Sequence, residues 1–178
     1  MAILVNNYSE GGFKGVNGAK LTILGENDQV YHSLDITKLK DAGAEDNGIL
    51  VGTIFRKGCK WYFLDQDELI PGNDKNWYGG CEDEIIKGLQ KCSFNHDVLK
   101  NSLTWKSGNP SIQMKTDQVL NVPDSFKRKL RFDIRWNSSV TLDISAILCD
   151  AEGSRVDSVY YKNLQSLQGA VLLKSIQD

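Results

Sequence analysis

Residues 129–136, KLRFDIRW, show the clearest pattern in this chain, a strict alternation of charged and apolar side chains. Leu130, Phe132, Ile134 and Trp136 are apolar, and the residues between them are basic or acidic. Because side chains of a strand alternate between its two faces, this segment predicts a strand with one face on a core and a ladder of charges in solvent.

Three more elements follow this strand. The alternation resumes over residues 140–144, the sequence DAEG at 150–153 predicts a turn, and residues 156–161 predict the returning strand. Residues 169–175, GAVLLKS, predict a final strand. This part of the chain therefore predicts strands joined by short turns.

The first part of the chain predicts two hairpins. Residues 19–24 (AKLTIL) and 29–36 (QVYHSLDI) flank the turn sequence GEND. Residues 49–56 (ILVGTIFR) and 59–64 (CKWYFL) flank a Lys-Gly pair, where we expect the glycine to take a positive φ in a two-residue loop. Together the two parts predict an all-β protein, a sandwich of two antiparallel sheets.

Residues 71–100 differ from both parts. They begin with a loop-like sequence, PGNDKNWYGGC, and continue with EDEIIKGLQKC at 82–92, which places four apolar side chains on one helical face. Acidic residues at its start and a lysine near its end suit the helix dipole. We interpret this segment as a connector with one short helix between the two β parts.

The overall composition argues against several classes of function. With 21 basic and 23 acidic residues, the formal net charge of -2 provides no field that would attract nucleic acid or anionic lipid. The sequence at the beginning, MAILVNNYSEG, lacks the features of a signal peptide, and no apolar run is long enough to span a membrane. We therefore expect a cytoplasmic protein with no nucleic-acid or membrane partner.

The chain offers little of the chemistry that catalysis needs. Its four cysteines have irregular spacings without a C-x-x-C pair, which predicts thiols of an intracellular protein. The only histidines are His32, which we interpret as a packed or surface strand residue, and His96, and neither belongs to a triad-like spacing. Because nucleophile and phosphate-loop motifs are also missing, we expect no enzyme activity and no catalytic residue.

Acidic and aromatic residues supply the candidate binding chemistry. Carboxylates between residues 65 and 84 could provide several of the about six to eight oxygens that Ca²⁺ prefers, although such charges are usually solvated. Asp143 stands in an otherwise apolar strand, where a carboxylate needs solvent or a partner. Trp77 and Trp105 lie in polar, loop-like stretches and could stack on a sugar or a nucleobase.

Five segments share a likeness to a known family. Residues 102–115, SLTWKSGNPSIQMK, are similar to its opening hairpin, residues 128–137, RKLRFDIRWN, to its strand ending in Gly-Trp-Asp, and residues 141–166 to its Asp-Leu-Asp-Ala-Ser strand and the strand after it. Residues 13–24 and 49–63 are similar to its closing strands. Together they resemble the TerD-type family of tellurium-resistance and stress-response proteins, which implies a TerD-like β-sandwich.

The matching segments stand in the reverse of the family's order, because its C-terminal half comes first here. This order predicts one circularly permuted or half-swapped sandwich, built from residues 1–70 and 101–178 and joined by the connector at 71–100. If the halves exchange between copies, the exposed sheet edges of one chain form hydrogen bonds with those of another chain. Such an exchange gives dimers or open filaments.

The resemblance also implies a calcium site. In the family an Asp-x-Asp-x-Ser strand and a loop rich in Gly and Asp carry the calcium ligands. Here Asp143 and Ser145 match that strand, Thr141 replaces its first aspartate, and residues 72–84 could imitate the loop from a new position. The candidate calcium ligands are Asp74, Glu82, Asp83, Glu84, Asp143, Ser145 and Asp150.

These observations favour a non-enzymatic, TerD-like module that acts in protein assembly or in a stress-response complex. Its partners would be proteins, with self-association through exposed sheet edges, and it would need no cofactor unless calcium is retained. One alternative is a calcium-responsive ligand-binding domain with a reduced site. Another is a carbohydrate- or nucleotide-binding sandwich that uses Trp77 and Trp105. The loss of acidic ligands favours protein contact over ion sensing.

Overall fold

The computed structural model describes residues 1–7, 13–25, 28–43, 46–71, 86, 103–104, 118–122, 130–137, 140–150, 152, 154–166, 169 and 171–173. Within these residues the chain forms ten strands and one short 3₁₀ helix, Lys38–Lys40. The strands are β1 (Ala2–Asn7), β2 (Ala19–Leu24), β3 (Val30–Ile36), β4 (Asp46–Lys57), β5 (Lys60–Pro71), β6 (Leu103–Thr104), β7 (Val119–Val122), β8 (Arg131–Trp136), β9 (Leu142–Cys149) and β10 (Arg155–Val159).

The ten strands form two sheets that pack face to face. One sheet has the order β10-β9-β1-β4-β5-β7-β6 and the other has the order β3-β2-β8. The described neighbours pair antiparallel, apart from the parallel pair β6 and β7. The predicted all-β sandwich of two antiparallel sheets is therefore confirmed. Each sheet contains strands from both parts of the chain, and the permuted order itself stays a prediction.

One apolar core lies between the two sheets, and β8 shows how the sequence builds it. Ile134 is buried in this core, and Phe132 and Trp136 are half-buried at its margin. The ring of Phe132 lies 6.3 Å from the ring of Phe63 on β5, so the contact joins the two sheets. The charged residues between these apolar positions lie on the opposite face, as the alternation predicts.

Strand β1 is buried on both of its faces. Ile3 and Val5 belong to the core between the sheets, whereas Ala2 and Leu4 belong to a second apolar cluster on the opposite side. We call that side the outer face of the seven-stranded sheet. Because all six residues of AILVNN are buried, the sequence of β1 shows no alternation of apolar and polar positions.

The hairpin of β4 and β5 confirms the predicted positive φ of its glycine. Gly58 has a φ of 60°, and Lys57 pairs with Lys60 across the loop. The two loop residues are therefore Gly58 and Cys59, one position later along the chain than the sequence pattern indicates.

Three other elements differ from the sequence prediction or lie outside the described residues. Of the predicted final strand at 169–175, the described residues form no strand, and Leu172 makes one isolated bridge with Gln165. The sequence pattern did not predict β7, which pairs with β5. The connector helix predicted over 82–92 lies outside the described residues except for Ile86.

A bulge in β5 connects the two sheets. Gln66 and Asp67 together oppose the single residue Val51 of β4. Asp67 has a φ of 43°, and its buried Oδ2 accepts hydrogen bonds from Thr37 N (3.1 Å), Thr37 Oγ1 (2.7 Å) and Lys38 N (3.3 Å). Because Thr37 directly follows β3, this one carboxylate ties the seven-stranded sheet to the end of the three-stranded sheet.

Replacing Asp67 with alanine should lower the free energy of unfolding by about 2 kcal/mol, because three donors lose their acceptor and alanine disfavours a positive φ. Asp67→Asn is the matched control, since asparagine tolerates this backbone conformation and its amide oxygen can accept the same bonds. Urea denaturation of the three proteins measures the effect. Equal destabilisation by both substitutions would contradict a role for the acceptor oxygen.

Candidate functional site

The two residues that match the calcium-binding strand, Asp143 and Ser145, lie on the outer face of β9. Asp143 is opposite Asn6 of β1, and Ser145 Oγ donates a hydrogen bond of 3.1 Å to Asn6 Oδ1. Ser145 and Asn6 are buried, and burial raises the pKa of the Asp143 carboxyl. Asn6 is not among the predicted site residues, although the two asparagines that end the apolar strand AILVNN mark a polar position there.

Asp150 directly follows β9, at the far end of the strand from Asp143. Its Oδ1 accepts hydrogen bonds from Glu152 N (3.0 Å) and Ser154 N (2.8 Å), which close the predicted turn into β10. A strand rises about 3.3 Å per residue, so Asp150 lies about 23 Å from Asp143 along β9. One ion cannot bind both carboxylates, so the structure does not bring these two predicted ligands together.

The remaining predicted site residues lie outside the described residues, and their roles stay predictions. Within the described parts of the chain, no three His, Cys, Asp or Glu side chains are grouped closely enough to hold a metal ion. The residues outside the description are Asp74, Trp77, Glu82, Asp83, Glu84 and Trp105.

His32 lies inside the core between the sheets. It is opposite Ile23 of β2, which belongs to that core, and its exposed fraction is 0%. Neither ring nitrogen has a hydrogen-bond partner among the described residues, and burial lowers the pKa of the imidazole to about 4. His32 is therefore a neutral, packed residue at pH 7 and is inaccessible to a substrate.

The edge of β10 is closed by its own chain. Ser158 N donates to Asp157 Oδ1 at 2.8 Å, and Ser158 O accepts from Asn163 Nδ2 at 2.6 Å. Tyr160 and Asn163 exchange two backbone hydrogen bonds, and the pairing of β10 with β9 is irregular at Val156. These features occupy the N–H and C=O of Ser158 and make the edge of β10 irregular, which hinders pairing with another strand.

Strand β8 provides a more regular edge than β3 or β6. Strand β6 has two residues, and β3 has an irregular register at Tyr31. All six residues of β8 pair with β2 in an unbroken register, from Arg131 to Trp136. The other side of β8 has no neighbour among the described strands, so this edge is open within the described sheet.

The two faces of β8 carry different chemistry. On the solvent face, Arg135 Nη2 lies 3.4 Å from Asp133 Oδ2, and the Arg135 side chain is 82% exposed. On the core face, the half-buried Phe132 and Trp136 flank the buried Ile134. A strand that pairs with this edge would therefore meet charges on one face and aromatic side chains on the other.

Comparisons with known proteins identify no relative of this chain. No family model matches it, and no curated protein or solved structure matches it either. The resemblance to the TerD-type family therefore stays a prediction. In the described part of the chain, no helix has both the length and the apolar character needed to cross a membrane.

Proposed function

We propose that this protein is a non-enzymatic β-sandwich module that assembles with other copies of itself through a sheet edge. The observation that carries the proposal is β8, a strand with six unbroken pairs to β2 and an open second edge among the described strands. Sheet proteins normally protect their edges, as the side chains around β10 do here. An edge that is regular and open among the described strands is therefore suited to pairing with another strand.

The roles of three polar residues support a structural function over a catalytic one. Asp67 binds Thr37 and Lys38, and Asp150 closes a turn, so both carboxylates are used by the fold. His32 is enclosed in the core and cannot act as a base on a substrate. The TerD resemblance alone adds a stress-response setting to this proposal.

Light scattering over a concentration series tests the proposal. We expect the mass to rise from that of one 19.9 kDa chain towards that of a dimer, because association depends on concentration. Val156→Lys is the control, since Val156 is exposed on the closed β10 edge and its replacement should leave the curve unchanged. A monomer mass at every concentration would contradict the proposal.

A further inference from the structure

We propose that β8 pairs antiparallel with β8 of a second copy, about a two-fold axis that passes through Ile134. This inference rests on the proposed function and adds the identity of the partner strand and its register. The three-stranded sheets of two copies would then join into one continuous sheet with the order β3-β2-β8-β8-β2-β3.

The backbone of β8 presents the groups that this pairing needs. Asn137 N donates to Gly18 O at 3.2 Å, which continues the ladder between β8 and β2 beyond the end of the strand. In an antiparallel ladder the N–H and C=O of one residue point to the same side, and the side alternates along the strand. The N–H and C=O groups of Phe132, Ile134 and Trp136 therefore point to the open edge.

An axis through Ile134 places these outward-pointing groups opposite each other. Ile134 would face Ile134 of the second copy, and Phe132 would face Trp136 of the second copy on each side of the axis. Each opposed pair in such a register exchanges two hydrogen bonds. The pairing covers residues 132–136 of the strand, and it begins and ends with the aromatic residues Phe132 and Trp136.

The charges on the solvent face are complementary in the same register. Asp133 would face Arg135 of the second copy, and the two-fold axis repeats this pair on the other side. Arg135 has a largely exposed side chain that can reach across the strand, and opposite charges in directly opposed positions stabilise a sheet. On the core face, aromatic residues that are half-buried in one copy would cover each other.

A shift of the axis by one residue removes this complementarity. With the axis at Asp133, the carboxylate of Asp133 faces Asp133 of the second copy. Arg131 then faces Arg135 of the second copy, so like charges oppose each other in both kinds of pair. With the axis at Arg135, two guanidinium groups face each other. Of these three registers, the one centred on Ile134 is therefore the one that matches both backbone and charge, over residues 132–136.

Two-fold pairing through one edge also decides between a dimer and a filament. An isologous contact uses the same surface on both copies and closes once it forms. A filament would need a second pairing edge, and the other described edges are occupied, irregular or two residues long. We therefore expect a closed dimer.

The experiment compares Asp133→Arg, Arg135→Asp and the double variant D133R/R135D by light scattering over the same concentration series. Each single variant puts like charges opposite each other twice and should raise the dimer dissociation constant by about tenfold or more. The double variant exchanges the two charges and restores opposite charges across the axis, so it should regain most of the wild-type affinity. Thermal melting checks that every variant remains folded, which matters most for Asp133→Arg because the side chain of Asp133 is only 22% exposed.

The outcomes separate this inference from the proposed function. A wild-type protein that stays monomeric contradicts both. A wild-type dimer with unchanged single variants, or with a double variant as weak as the single ones, overturns the pairing through β8 in this register. The proposed self-assembly would then stand, with its interface on another surface.

Discussion

Replacing Gly52 with alanine should lower the free energy of unfolding by about 3 kcal/mol. A Cβ atom at this position would lie 2.5 Å from Cζ of Phe63 and 2.6 Å from the backbone oxygen of Leu64. Phe63 has an exposed fraction of 0%, so its ring lies in a close-packed core with little room to move. The carbonyl of Leu64 cannot move without shifting β5. Urea denaturation of the wild type and the variant measures the loss.

Two further variants show whether the close contact is the cause. Gly18→Ala is the matched control, because a Cβ at Gly18 would meet nothing within 4 Å, and we expect a change within about 0.5 kcal/mol. Phe63→Leu, introduced into the Gly52→Ala variant, removes the outer ring atoms and should cost less there than in the wild type. A Gly52→Ala protein as stable as the Gly18→Ala protein would show that β4 does not pack closely against Phe63.

The sequence predicted well those strands that have one face in solvent. Strands β2, β3 and β8 have exposed residues next to buried or half-buried ones, so their two-residue period is visible in the sequence. Strand β1 is buried on both faces, and its period cannot be read from apolar residues alone. Strand β7 has four residues, too few for a recognisable pattern, whereas the described residues of the apolar run at 169–175 form no strand.

The candidate site was predictable in part. The alternating charges of β8 are visible in the sequence, but sheet order depends on contacts between distant segments, so the position of β8 at an edge of the described sheet could not be predicted. Asn6 and Ser145 are hydrogen-bonded although they belong to opposite ends of the chain. Asp143 and Asp150 are close in sequence yet lie at opposite ends of one strand, because an extended backbone separates them. The fold therefore does not place these two predicted calcium ligands together, and the calcium site stays a prediction.

Lowering the pH from about 6.5 to 4 should destabilise the protein by about 3 kcal/mol through the single residue His32. The imidazole of a solvated histidine has a pKa of 6.5, and burial lowers the pKa of His32 to about 4 in the folded protein. Between these two values the unfolded chain binds a proton that the folded protein excludes, so protonation favours unfolding. The contribution is fully present above pH 6.5 and is lost as the pH falls towards 4.

His32→Leu isolates this contribution. At pH 7 the variant should lie within about 1 kcal/mol of the wild type, because leucine fills a similar volume and removes two ring nitrogens without described partners. At pH 5 it should be the more stable protein by about 2 kcal/mol. Tyr31, which directly precedes His32 in β3 and is also buried, stays neutral because burial raises its pKa, and carboxylates elsewhere act alike in both proteins. Urea denaturation across this pH range measures the difference in the free energy of unfolding. If the two proteins lose stability in parallel as the pH falls, the folded protein accepts the proton on His32. That result would contradict the enclosure of His32 between the sheets.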